Sequence, residues 1–109
     1  MAKRGELSHP VANVARNLLG YEITQRELRL MPYVCYVLVN SQEIDKRKVN
    51  DEEMRYINNW LDKGWLYFDG TGFLQAEKEF FLHIQEIIYH AYVVHRAYTY
   101  TVSEEASNG

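Results

Sequence analysis

Apolar residues recur at helical spacing in four segments of the chain, and in a fifth they crowd both sides of a glycine-rich turn. In the first segment Val11, Val14, Ala15 and Leu18 fall on one side of a helix. Ser8 is placed to cap it, Pro10 is tolerated in the first turn because no backbone donor is needed there, and Gly20 is placed to end it. In the second, Thr24 and Glu27 have capping-box spacing, with Ile23 and Leu28 at the staple positions around them. The helix they start carries Leu28, Leu30 and Met31 and then meets Pro32, which predicts a kink or a break and restart. The run Tyr33 to Val39 is apolar on nearly every side and suits either a buried helix or a buried strand. Because the capped start leads directly into it, a central buried helix ending near Ser41 is the reading adopted.

The connector Gln42 to Lys48 is polar apart from Ile44 and is compatible with a short edge strand. Asn50 and Glu53 then repeat the capping-box spacing, with Val49 and Met54 as a staple pair. Asp51, Glu52 and Glu53 occupy the first turn, where the helix dipole favours negative charge. Met54, Ile57, Leu61 and Trp65 predict the buried face, with Trp60 beside it, and Gly64 the stop. Trp65 to Phe68 and Phe73 to Leu74 flank Asp69-Gly70-Thr71-Gly72, a composition that predicts a hairpin. From Ala76 to about Arg96 runs the longest helical pattern. Phe80, Ile84, Ile87, Ala91 and Val94 lie on one side of it, widened by Phe81, Ile88, Tyr92 and His95. Leu82, Tyr89 and Val93 appear on the opposite side, so this helix is either deeply wrapped or shared with a second subunit. The expected organisation is a flexible lead-in over residues 1–7, a single domain over 8–102 and a disordered tail over 103–109.

Composition narrows the classes. With 109 residues, 47% of them hydrophobic and 25% charged, the chain has the size and balance of one globular domain with its own core. The net charge of −3 disfavours a purely phosphate-gripping role. Cys35 is the single cysteine, which excludes an intrachain disulfide and a multi-cysteine zinc site. No apolar run approaches a membrane span and none has the form of a secretory leader, so a cytoplasmic protein is the expectation.

The order of helix, capped helix, Gly-Trp turn, hairpin and helix resembles the winged-helix family over roughly residues 24–95. Asn50 to Lys63 carry the resemblance as the recognition-type helix, Lys63 to Leu66 as the turn and Tyr67 to Leu74 as the wing. The short polar connector replaces the helix that precedes the recognition helix in that family, so the helix-turn-helix is truncated. The expected fold is therefore mainly α with a small β-hairpin, winged-helix-like. DNA binding is what the resemblance implies, and the candidates for it are Arg55, Asn58 and Asn59 on the helix and Lys46, Arg47 and Lys48 in the connector. Acidic residues oppose it: Asp51, Glu52, Glu53 and Asp62 outnumber Arg55 and Lys63 on the helix, and the wing tip carries no lysine or arginine.

His83, Glu86 and His90 share one side of the long helix, where they could present metal ligands. One helix seldom closes a metal site unaided, so a polar stripe with an ordinary Glu86–His90 pair is expected instead. No nucleophile elbow, catalytic Ser/His/Asp order or phosphate-cradling loop is present, and neither a cofactor nor a small-molecule substrate is indicated. Leu82, Tyr89, Tyr92, Val93, Tyr98 and Tyr100 suit an interface. These residues point to a non-enzymatic regulatory or adaptor module that binds protein and forms a homodimer, with a DNA-binding regulator as the alternative.

Overall fold

A computed structural model describes residues 4–94 of the chain. Helix α1 is His9–Leu19; Ser8 stands before it without a side-chain capping bond, and Gly20 closes it at φ 83°, a left-handed conformation that costs glycine little. Helix α2 is Gln25–Val39, α3 is Asp51–Asp62, strands β1 and β2 are Leu66–Phe68 and Leu74–Ala76, and α4 is Lys78–Ile88. A π-helical stretch, Tyr89–Val94, continues α4. Both predicted capping boxes are complete, Thr24 with Glu27 and Asn50 with Glu53.

Helix α2 runs through Pro32 without the predicted break. A proline inside a helix costs about 3 kcal/mol, whereas each large apolar side chain buried contributes roughly 1.5–3 kcal/mol. Leu28, Leu30 and Met31 before the proline, and Val34 and Val37 after it, are all buried. Packing on both sides therefore outweighs the lost hydrogen bond. The Tyr33–Val39 run is helix, and the chain leaves it at Ser41, which takes a positive φ of 50°.

The connector forms no strand. Its Gln42 carbonyl accepts one bond from the Leu74 N–H, and the Asp45 N–H donates to the Tyr33 hydroxyl. These two bonds hold the connector across the end of α2 and the edge of β2.

Helix α3 buries Ile57 and Trp60 completely, whereas Met54, Leu61 and Trp65 are only half-buried. Trp60 is thus the centre of this face and not its flank. Gly64, at φ 76°, turns the chain so that Trp65 starts the hairpin instead of extending the helix. Strands β1 and β2 pair antiparallel, Tyr67 opposite Gln75, and this pairing takes up Ala76, so α4 begins two residues later than the apolar pattern suggests.

The core lies between α2 and the elements around it: α3, β2 and α4 pack on α2, and α1 packs on α4. Phe80, Ile84, Ile87 and Ala91 supply the α4 side. Residues 4–7, expected as a loose lead-in, make specific contacts. The Gly5 N–H donates to the Ala91 carbonyl at 2.9 Å, and the Gln25 side chain bonds both the Gly5 carbonyl and the Leu7 N–H. Gly5 is buried at φ 78°, and a Cβ there would lie 2.6 Å from the Tyr92 ring. The tail expected over 103–109 lies outside the described residues.

Gly5→Ala meets both a backbone and a steric penalty, and is expected to lower unfolding stability by roughly 2 kcal/mol. Tyr92→Leu in the same chain relieves the clash but not the backbone strain, so the urea midpoint should recover only in part.

Candidate interaction surface

Helix α4 has apolar residues on two opposite faces. One face makes the core; on the other, Leu82, Tyr89 and Val93 are 51%, 49% and 48% exposed. Phe81 and Ile88 are half-buried between the two faces, and the remaining side carries Glu79, His83, Glu86 and His90. Large apolar side chains left half in water along one face are a better sign of a partner than scattered exposed ones. Tyr92, expected to join them, is half-buried over Gly5 and serves the N-terminal segment instead. Tyr98 and Tyr100 lie outside the described residues.

The polar side of α4 does not converge on one point. His90 Nε2 lies 3.2 Å from Glu86 Oε1, while His83 Nε2 lies 3.8 Å from Glu79 Oε1. Each histidine is directed to the carboxylate one turn before it, and among the described residues no three potential ligands come together to hold a metal ion.

On α3, Arg55, Asn58 and Asn59 are exposed. Lys46, Arg47 and Lys48 are exposed in the connector before the helix N-terminus, where Arg47 is engaged by Asp45 through Nε and Nη2, both at 3.1 Å. Asn58 lies about 12 Å further along the helix axis at 1.5 Å per residue, so the basic run and the amide pair are separate features. Arg26 pairs with Glu52 at 2.9 Å, which partly offsets the acidic first turn of α3. At the hairpin tip Asp69 accepts bonds from the N–H and hydroxyl of Thr71, from the Phe73 N–H and from Gln75. The Thr71 hydroxyl bond is the main cause holding its pKa down at about 2. The carboxylate organises the turn and leaves negative charge at the hairpin tip.

Two features escape a reading of periodicity. Glu27 is 3% exposed, the one buried charged residue in the described core, and it accepts the Tyr21 hydroxyl at 2.6 Å as well as the Thr24 N–H. The same hydroxyl oxygen accepts the Trp60 indole N–H at 2.9 Å. Burial, followed by the Glu27 bond, raises the Tyr21 pKa, so the phenol keeps its proton and donates. The capping-box spacing identified Glu27 as a cap but carried no sign of its burial. Around this node Tyr21 stacks on Trp65 and Trp65 on Phe80, with ring centroids 6.3 Å and 5.2 Å apart. The Lys63 ammonium lies 5.4 Å from the Tyr21 ring centroid and 5.0 Å from that of Trp65. Nothing in the spacing of these residues links Tyr21 to them.

Comparison with protein families, with curated proteins and with solved structures yields no match for this chain.

Burial raises the Glu27 pKa above its ordinary 4.5, the bonds from Tyr21 and Thr24 opposing it. The folded chain then holds this proton more tightly than the unfolded one, so the contribution of Glu27 to stability is fully present below 4.5 and is lost as pH rises through the folded value. Glu27→Gln keeps an acceptor for Tyr21 and for the cap while removing the charge. Urea midpoints measured against pH should show a flatter decline above 4.5 in this variant than in the native chain.

Proposed function

We propose that this chain is a non-enzymatic regulatory or adaptor module on a winged-helix-like scaffold, acting through protein contacts and pairing with a second copy through the outer face of α4. The observation that carries this reading is the second apolar stripe of α4. On an ideal wheel Leu82 and Tyr89 lie within about 20° of each other and roughly 180° from the centre of the buried face. The scaffold part is supported by the succession of capped α3, Gly64 turn and hairpin, and by the Leu74–Gln42 bond at the place a third strand of the wing sheet would take. The single cysteine suits a reducing, cytoplasmic setting. No helix among the described residues is long and apolar enough to cross a membrane.

Light scattering behind size exclusion tests the pairing. The native chain should run as a dimer at micromolar concentration, and Leu82→Glu with Val93→Glu should shift it to the monomer mass of 12.9 kDa without unfolding it. A native monomer at that concentration refutes the pairing.

A DNA-binding regulator is the second reading, favoured by the exposure of Arg55, Asn58 and Asn59 on one helix. The acidic first turn of α3 and Asp69 at the hairpin tip weigh against it. If it holds, duplex affinity falls steeply with salt and Lys46→Glu with Lys48→Glu abolishes binding. The first reading expects no duplex binding even at low salt.

A further inference from the structure

We infer that residues 4–7 form a strap that selects the helical register of Tyr89–Val94, π while the strap is fastened and α once it is released. Every contact behind this switch lies within one chain, so it does not depend on the pairing proposed above. A π-helical turn, in which an amide bonds to the carbonyl five residues before it, is rare and occurs as a short stretch within an otherwise α-helical run. Helix α4 is α-helical up to Ile88 and changes register at Tyr89. In the middle of the changed stretch the Ala91 carbonyl takes a bond from outside the helix, from the Gly5 N–H at 2.9 Å. A turn wider than the ones before it needs a hold, and the strap is attached at its centre.

The strap is itself fastened to a rigid base. Gln25, the first residue of α2, donates from Nε2 to the Gly5 carbonyl at 2.8 Å and accepts the Leu7 N–H on Oε1 at 2.6 Å. The complete Thr24–Glu27 capping box fixes the helix turn that carries this amide. On the other side Gly5, buried at φ 78°, lies so close under Tyr92 that a Cβ would meet the ring at 2.6 Å. That contact depends on register. An i→i+5 turn advances by less than the about 100° per residue of an α-helix, so each residue after Tyr89 is turned back around the axis. Tyr92 meets Gly5 in that position and is carried off it when the stretch returns to α spacing. Helix α1 also packs on the stretch but gives it no backbone hydrogen bond among the described residues.

Register also decides the line of the outer stripe. On α spacing Val93 lies about 20° from Leu82 around the axis, and the π turn carries it away from that line. A fastened strap therefore holds Val93 out of line with Leu82, and a released strap brings the two together. The consequence for docking rests on the proposed function; the switch itself does not. The strap is tied to the body by three hydrogen bonds and the half-buried Leu7, so it opens as a small local unit without unfolding the core.

Nuclear magnetic resonance reads the register through scalar couplings across hydrogen bonds, from amide nitrogen to carbonyl carbon. The full native chain should show Gly5 coupled to Ala91, and amides of the π stretch coupled to the carbonyl five residues before. Gln25→Ala removes both fastening bonds without touching α4 and leaves a strong helix former at the start of α2. In this variant the Gly5–Ala91 coupling should be lost and the couplings of the stretch should move to the carbonyl four residues before. Amide exchange at Gly5 should quicken at least about tenfold, while that of Leu28 and Ile57 keeps its native rate. Gly5→Pro, which lacks the donor, should move the couplings in the same way. A stretch that stays π after the Gly5–Ala91 coupling is lost overturns the inference, because the register is then set elsewhere. A stretch that loses both coupling patterns also overturns it, because the strap is then a staple and not a switch. The couplings report register whatever the mass of the particle, so a native monomer would end the pairing and leave the switch to be judged on its own.

Discussion

The bond from the Trp60 indole to the Tyr21 hydroxyl, and from that hydroxyl to Glu27, is the point on which the packing of this domain depends. Glu27 is needed at its position to close the start of α2, and that position is inside the core. A buried carboxylate left without donors costs several kcal/mol, so the fold must bring donors to it. Tyr21 comes from the loop after α1 and Trp60 from the middle of α3. Satisfying one cap therefore fixes how α1, α2 and α3 sit together. Trp65 and Phe80 extend the contact by stacking, which adds the hairpin base and the first turn of α4. No buried side-chain polar atom among the described residues lacks a hydrogen-bond partner, so the network closes on itself.

With its surroundings set in this way, α4 faces two environments. Its inner face fills the core against α1 and α2, and its end is held by the Gly5 N–H on the Ala91 carbonyl. Because the contacts to Gly5 and Leu7 run largely through their backbone atoms, the N-terminal segment fixes α4 without covering its outer face. Leu82, Tyr89 and Val93 remain presented on a helix that is immobilised from behind. An apolar stripe held rigid in this way loses little entropy if it docks.

Helix α3 combines complete capping with an acidic N-terminal turn. Its capping box, buried Ile57 and Trp60, and glycine stop make a well-defined helix followed by a hairpin. The acidic first turn suits the helix N-terminus, Glu52 is tied to Arg26, and Asp69 organises the hairpin tip, so these carboxylates have structural roles. Amides and one arginine on the exposed face do not offset them.

Much of the fold was legible locally. Thr24 with Glu27 and Asn50 with Glu53 mark two helix starts, Gly20 and Gly64 mark two stops, and Phe80, Ile84, Ile87 and Ala91 mark the inner face of α4, because caps, positive φ and helical period are properties of neighbours along the chain. The outer stripe of the candidate site was legible for the same reason. The sequence by itself therefore determined where most elements begin and end and that α4 is apolar on both sides. Only the tertiary structure decided that α2 survives Pro32, that Trp60 and not Trp65 centres its face, that Glu27 is buried and that Tyr92 serves Gly5. Each of these turns on energies between residues far apart in the chain. A proline penalty is outweighed by packing on both sides, and a buried charge is accepted because distant donors arrive together, neither of which any local spacing encodes.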